Sequence, residues 1–278
     1  MIRIRILGSA AGGGLPQWNC LCANCAAARK GEVAPRTQSS VAVSADDQRW
    51  FLVNASPDLP RQIESTPALQ PQPGSLRNSP IAGVLLTNAD LDHTLGLLLL
   101  RQQTPVLVYA SHATRSALDW LQLLLHPFGG SHWRTASGDF NSLSNGLAFR
   151  AIELHKSNAF QLRDEVSGRA ALVAPVVGEL TAELRDAVNT SDVILFDGTF
   201  WNNDELRAVR RDARSAREMN HLPISDSSLA LLRHSPARRK IYIHINNTNP
   251  ILMPGSRERA LVQQAGIEIA CDGLEIIL

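Results

Sequence analysis

The chain has 278 residues, 44% apolar side chains and a formal net charge of +1. That length suits one large α/β core, and the apolar share is enough to fill it. The near-neutral balance excludes a polybasic nucleic-acid binder: the run Arg207, Arg210, Arg211, Arg214, Arg217 is short, Asp212 interrupts it, and it reads as a solvated helix face.

Residues 2–7 alternate in the manner of a strand and lack the apolar stretch of a leader, so a cytoplasmic location is expected. Gly8, Gly12, Gly13 and Gly14 then form a flexible loop without the spacing of a dinucleotide site. Strands are predicted over 39–44 and 50–54, joined by a turn at 45–48, and Pro57-Asp58 opens a short helix. Five prolines and glycines between 66 and 80 mark a loop. The apolar run 81–86 is a buried strand ending in Thr87-Asn88-Ala89-Asp90-Leu91-Asp92-His93, with a helical pattern over 94–102. A strand at 106–110 and a helix at 111–125 follow. Beyond them, strands are predicted at 147–154, 170–175, 192–197, 240–246, 267–270 and 275–278, and helices at 178–188, 204–216, 226–234 and 256–265. No apolar run reaches the roughly 18 residues of a membrane span, so no direct membrane insertion is expected. Two similar halves of strands followed by helices predict an α/β fold: an αββα sandwich of two mixed sheets with outer helices, as a single domain over 1–278.

Two groups of residues point to metals. Cys20-x-Cys22-x-x-Cys25 places three thiols within one glycine-rich loop, where a tetrahedral, structural zinc suits such soft ligands. Its fourth ligand stays open among a histidine, an aspartate, Cys271 and water. Asp92-His93 sits at a strand end before a helix, where a hard carboxylate and a neutral imidazole can converge on one cation. Asp92 could equally serve as a helix cap. Three further strand ends tip the balance toward an assembled site: Asn54-Ala55-Ser56-Pro57-Asp58, Leu195-Phe196-Asp197-Gly198 and Ile243-His244-Ile245-Asn246-Asn247. His112, His126 and His234 fall in helical patterns and read as packing or surface residues, His132 lies in a loop, and His155 follows a strand.

The Asp92-His93 element after a buried strand, with Asp197 and His244 later, resembles the metallo-β-lactamase superfamily. Longer blocks resemble the PqqB family of coenzyme PQQ synthesis proteins: Gly8 to Gly14, Pro16-Gln17-Trp18-Asn19-Cys20, Arg36-Thr37-Gln38-Ser39-Ser40, Met219-Asn220-His221-Leu222 and His244-Ile245-Asn246-Asn247-Thr248-Asn249-Pro250. Superfamily hydrolases carry histidines where this chain has Asn88 and Asp90, which disfavours a two-zinc hydrolase. The resemblance implies a single cation on Asp92, His93 and His244, with Asp197 as a further ligand, and Fe(II) as that cation (zinc in a purified sample). It implies a non-haem iron hydroxylase that uses dioxygen on the tyrosine ring of a cross-linked precursor from a small Glu/Tyr-containing peptide. Asp90 is then expected as a base or weak ligand and His221 as a substrate contact. The anionic substrate points to Arg36, Ser39, Ser56 and Arg217 as partners. The alternative is a non-enzymatic carrier for transport of PQQ or its precursor to the periplasm. Related phosphodiesterases complete the cysteine site with a histidine three residues after the last catalytic one, and here that position is Asn247. A homodimer is compatible with all of this.

Overall fold

The computed structural model describes residues 1–102, 105–144 and 146–278. The strands among them are β1 (Arg3–Gly8), β2 (Ser40–Ser44), β3 (Trp50–Val53), β4 (Ile81–Leu85), β5 (Val106–Ala110), β6 (Ser131–Thr135), β7 (Asn141–Ser144), β8 (Leu147–Leu154), β9 (Ser157–Asp164), β10 (Ala170–Ala174), β11 (Val193–Asp197), β12 (Arg239–Ile243), β13 (Glu268–Ile269) and β14 (Glu275–Ile277). They form two seven-stranded sheets, ordered β14-β1-β2-β3-β4-β5-β6 and β13-β12-β11-β10-β9-β8-β7. Each sheet is mixed. β3 to β6 run parallel, as do β10 to β13, while the other pairings are antiparallel.

Period-two alternation sorts each strand's side chains between two cores. Val41, Val43, Phe51 and Val53 of one sheet meet Phe149, Phe160, Val173, Leu195 and Ile241 of the other in the layer between the sheets. The intervening residues face outward. Ala42, Trp50 and Leu52 pack on Leu59, Leu97 and Leu121 from the helices α2 (Leu59–Glu64), α4 (Gly96–Leu99) and α6 (Asp119–Leu125). Leu172, Ile194, Phe196 and Tyr242 pack on Leu184, Leu232 and Val262 from α7 (Ala182–Thr190), α8 (Leu229–His234) and α9 (Arg257–Gln264). Strands covered on both faces read as continuous apolar runs, which is why the sequence marks the parallel ones well. The result is the αββα sandwich the sequence predicts. No helix among the described residues is long and apolar enough to cross a membrane.

Three strands depart from the sequence reading. β6 and β7 lie at opposite sheet edges and are largely polar, and β9 buries Asn158, Gln161 and Asp164 among its apolar residues, so none shows a clean periodicity. The helix expected over 204–216 is also corrected. Only Glu205–Ala208 forms a short 3-10 turn, and the chain then runs as loop to a second turn at Arg217–Met219. The physical reason is that Glu205 turns inward, where its carboxylate accepts from the Trp201 N–H and the Thr248 hydroxyl, each at 2.6 Å. The predicted helix at 94–102 is α4 preceded by a single turn, α3 (Leu91–Thr94), which carries His93.

That turn is pinned to the loop after β3. The Ala55 N–H donates to the His93 carbonyl at 2.7 Å, and the Gly96 N–H donates to the Ala55 carbonyl at 2.9 Å. A Cβ on Gly96 would lie 2.5 Å from the Ser56 carbonyl oxygen and 2.7 Å from the Ala55 carbonyl carbon. Both obstacles are backbone, so neither can swing aside. Gly96→Ala is therefore expected to cost about 1–3 kcal/mol in urea unfolding, by overpacking. An unchanged midpoint would show that the two segments are not locked together.

Candidate metal centre

The carboxyl ends of the parallel strands in both sheets meet at one edge of the sandwich, the usual place for a site in a parallel sheet. Asn54 leaves β3 with φ of +64°, and its side-chain oxygen accepts from the Thr87 N–H (2.9 Å) and hydroxyl (3.1 Å) just after β4. His244 leaves β12 with φ of +54°. A left-handed conformation costs a non-glycine residue about 1 kcal/mol or more, and two such residues at one site mark a backbone held by its surroundings.

The hydrogen bonds fix the tautomers of two rings. His93 directs Nδ1 to the Asn88 side-chain oxygen at 2.7 Å, so Nδ1 carries the proton and Nε2 the lone pair. His244 directs Nδ1 to the Thr199 hydroxyl at 2.8 Å, and that hydroxyl donates in turn to Asp197 Oδ1 at 2.6 Å. Its Nε2 lies 3.2 Å from Asp92 Oδ2, and His93 Nε2 lies 3.8 Å from the same oxygen. His93 Nε2 is buried with no hydrogen-bond partner. Ligand atoms of Asp92, His93 and His244 all lie within 4.8 Å of one another. An orphaned buried imidazole lone pair beside a carboxylate fits a divalent cation, because coordination satisfies all three groups.

The electrostatics agree. Burial drives the His93 ring down to about 4, which keeps it neutral and ready to ligate. Burial alone would raise the Asp92 carboxyl, but the His93 and His244 rings outweigh it and hold it well below the usual carboxylate range. Burial likewise lowers the His244 ring, and the adjacent Asp92 carboxylate more than restores it.

His221 stacks on His244 with ring centroids 5.3 Å apart and directs Nδ1 to Asp197 Oδ2 at 2.7 Å. Asp197, His221 and His244 form a second group within 4.8 Å. Asp197 already accepts four hydrogen bonds, from His221 Nδ1, the Val177 N–H, the Thr199 N–H and the Thr199 hydroxyl. Four donors fill the lone-pair sites of a carboxylate, so in this arrangement Asp197 orients His221 and Thr199. Asp90 accepts from the Asn88 side-chain amide at 2.7 Å. Asn88, read from sequence only as a lost ligand, therefore holds His93 with one end and Asp90 with the other.

The cysteines come together as the spacing predicts, with ligand atoms of Cys20, Cys22 and Cys25 within 4.8 Å. Burial pushes the Cys22 thiol up to about 11, so three thiolates here require a bound cation. Among the four options for the fourth ligand, Cys271 is exposed and outside the group. The Asn247 amide nitrogen instead lies 3.2, 3.5 and 3.3 Å from the three sulfurs, while its oxygen is buried without a partner. Exchanging the two ends of the amide turns that oxygen onto the sulfurs, where it would be a neutral fourth ligand.

A cavity of about 890 Å³ opens over Asp92, His221 and His244, and Cys20 and Cys22 lie in its wall. The expected substrate contacts are placed elsewhere. Arg36 is buried against the Ser9 hydroxyl and the Ala270 carbonyl, and Ser39 is buried. The Ser56 hydroxyl donates to Gln62, and Arg217 pairs with Asp226. None of the four lines the cavity; Arg210 and Arg214 do. His155 is exposed in the turn between β8 and β9 and His132 lies in β6, and neither lines it.

The chain is similar to known proteins along its whole length. The model of the β-lactamase superfamily domain matches residues 49–245. Coenzyme PQQ synthesis protein B of Cupriavidus necator is 41% identical over an alignment of 308 positions covering all of both chains. That of Methylococcus capsulatus is 40% identical over 99% of each. The crystal structure of Zn²⁺-bound PqqB from Methylobacterium extorquens superposes with a TM-score of 0.92 at 34% identity, covering 99% of this chain and 100% of that one.

Two outcomes are expected. Asn88→Ala frees the His93 ring and should weaken binding at the Asp92 centre about 10–100-fold in a chelator competition, leaving the cysteine metal in place; equal retention of both metals contradicts the clamp. Burial raises the Glu205 carboxyl to about 7. Its stabilising contribution is then complete below its ordinary value of 4.5 and is lost as pH rises through about 7. Melting curves of Glu205→Gln minus those of the parent should therefore show a relative gain for the variant between pH 5 and 8, and a flat difference contradicts the raised value.

Proposed function

The chain belongs to the coenzyme PQQ synthesis protein B family of the β-lactamase superfamily, and from that membership we propose that it acts in PQQ biosynthesis as a metal-dependent hydroxylase of the tyrosine-derived ring of a Glu-Tyr precursor. The observation that carries the reading is the convergence of two histidine nitrogens and one carboxylate, with their protons directed elsewhere. Two histidines and one carboxylate with open positions is the ligand set of non-haem Fe(II) oxygenases. Iron in that set would supply the chemistry of dioxygen.

The chain's own residues then have distinct tasks. Asn88 and Thr199 hold the two ligand rings in the tautomer that exposes Nε2. Asp197 holds Nδ1 of His221, leaving Nε2 to exchange a proton with a phenol in the cavity that His221 lines. Asp90 lines the same cavity and offers a carboxylate there. Phe200, Leu206, Val209 and Met219 line it with apolar surface suited to an aromatic ring. The three cysteines would hold a structural zinc that fixes the loop forming one wall.

His93→Ala should lower iron content and abolish the gain of oxygen mass when precursor, Fe(II) and dioxygen are combined. Undiminished oxygen incorporation by the variant overturns the hydroxylase. Tight PQQ binding by the parent protein without any oxygen gain would instead mark a carrier.

A further inference from the structure

The five arginines between 207 and 217 do not have the same fate. Arg207 pairs with Asp204, Arg210 with Asp212 and Arg217 with Asp226. Arg214 makes neither a hydrogen bond nor an ion pair among the described residues. It feels Glu218 only at longer range, and that carboxylate already accepts from the Ser215 N–H at 2.7 Å and pairs with Arg207 at 3.6 Å. Of the arginines in this segment, Arg210 and Arg214 line the cavity, and Arg211 does not.

The backbone that presents Arg214 is fixed on both sides. The preceding residue, Ala213, is buried and its carbonyl accepts from Arg207 Nε at 3.1 Å. The following Ser215 is tied to Glu218, and the Ala216 N–H donates to the Asn203 carbonyl at 2.8 Å. A free guanidinium on a braced loop is preorganised for an anion, and its planar fork matches a carboxylate. Of the lining residues Thr199, His221 and His244 are buried and Asp92 is half-buried, whereas Arg210 and Arg214 are exposed, with apolar Leu206 and Met219 also in the wall.

We propose that Arg214, with Arg210 as a weaker partner already shared with Asp212, is the specificity-determining residue that recognises a carboxylate of an aromatic acid whose ring lies along the apolar wall. This deepens the function proposed above and rests on its placing of an aromatic ring in this cavity. The ligand class is a small aromatic carboxylate.

The test uses the metal-loaded protein and benzene-1,3,5-tricarboxylate as probe, with its trimethyl ester as the uncharged control, followed by calorimetry without turnover. Arg214→Gln should weaken tricarboxylate binding about tenfold or more, the loss expected for a charge-assisted hydrogen bond. Arg214→Lys should recover part of it, and raising the salt should weaken the parent toward the variant. Arg211→Gln should match the parent, and ester binding should not depend on residue 214. Equal affinity in Arg214→Gln and parent, an equal loss in Arg211→Gln, or no tricarboxylate binding by the parent at millimolar probe overturns the assignment. Unchanged melting curves exclude misfolding as the cause of a loss. If precursor gains no oxygen but probe binding depends on Arg214, the hydroxylase reading fails and the carboxylate site stands. If oxygen is gained and Arg214→Gln changes neither measurement, the carboxylate site fails alone.

Discussion

The contact between Asp92 Oδ2 and His244 Nε2, at 3.2 Å, joins the two halves of the molecule. Asp92 rides on a turn after β4 in one sheet, and His244 ends β12 in the other. Neither sheet contains a complete ligand set, so the site exists only when the layer of Val43, Phe51, Phe160 and Leu195 holds the sheets in register. Close packing of that layer leaves little freedom, because an interior packed like an organic crystal transmits rather than absorbs displacement. The stability of the core and the geometry of the site are therefore one problem.

The loop after His244 serves two centres at once. His244 faces Asp92, and three residues later the Asn247 side chain faces the three cysteine sulfurs. Asn24, within the helix that carries Cys25, donates its amide to the carbonyls of Asn247 and Asn249, both at 2.8 Å. Asn249 reaches back to the Gly198 carbonyl at 2.9 Å, directly before Thr199, which orients His244. A cation on the cysteines would stiffen this chain of contacts, which runs through Asn249 and Thr199 to His244.

Much of this was legible in the sequence, for a stated reason. Strands covered on both faces are apolar runs, and the parallel ones with functional groups at their carboxyl ends stand out, so β4, β11 and β12 are readable from pattern, while Asp92, His93, Asp197 and His244 became one ligand set only through the family resemblance. The edge strands β6 and β7 are not, because a strand with one solvated side and few apolar residues leaves no period to read. The 204–216 segment looks helical because its charges are spaced like a solvated helix face, and only the burial of Glu205 against Trp201 and Thr248 shows why a loop forms instead. The cavity arginines were missed with it: a helix face sends Arg214 to solvent, whereas the braced loop turns it to the cavity.

Asn88 and Asp90 show how the loss of a ligand can be a gain of order. In the hydrolytic pattern those positions supply imidazoles to a cation. Here the Asn88 amide accepts from His93 Nδ1 and donates to Asp90, so both of its polar ends are engaged within the protein. An amide so engaged has no reason to bind a metal and every reason to hold a ring, since it removes the proton from the coordinating nitrogen without adding charge. The ligand atoms of Asp92, His93 and His244 still converge within 4.8 Å of one another, and a cation held by three ligands would keep coordination positions open. Two adjacent metals stabilise the attacking and leaving oxygens of a displacement; one metal with open positions has no such clamp to offer and is suited to binding small molecules side by side. Asn88 and Asp90 in place of two histidines are therefore the residues on which the hydroxylase proposed above, rather than a two-metal hydrolase, rests.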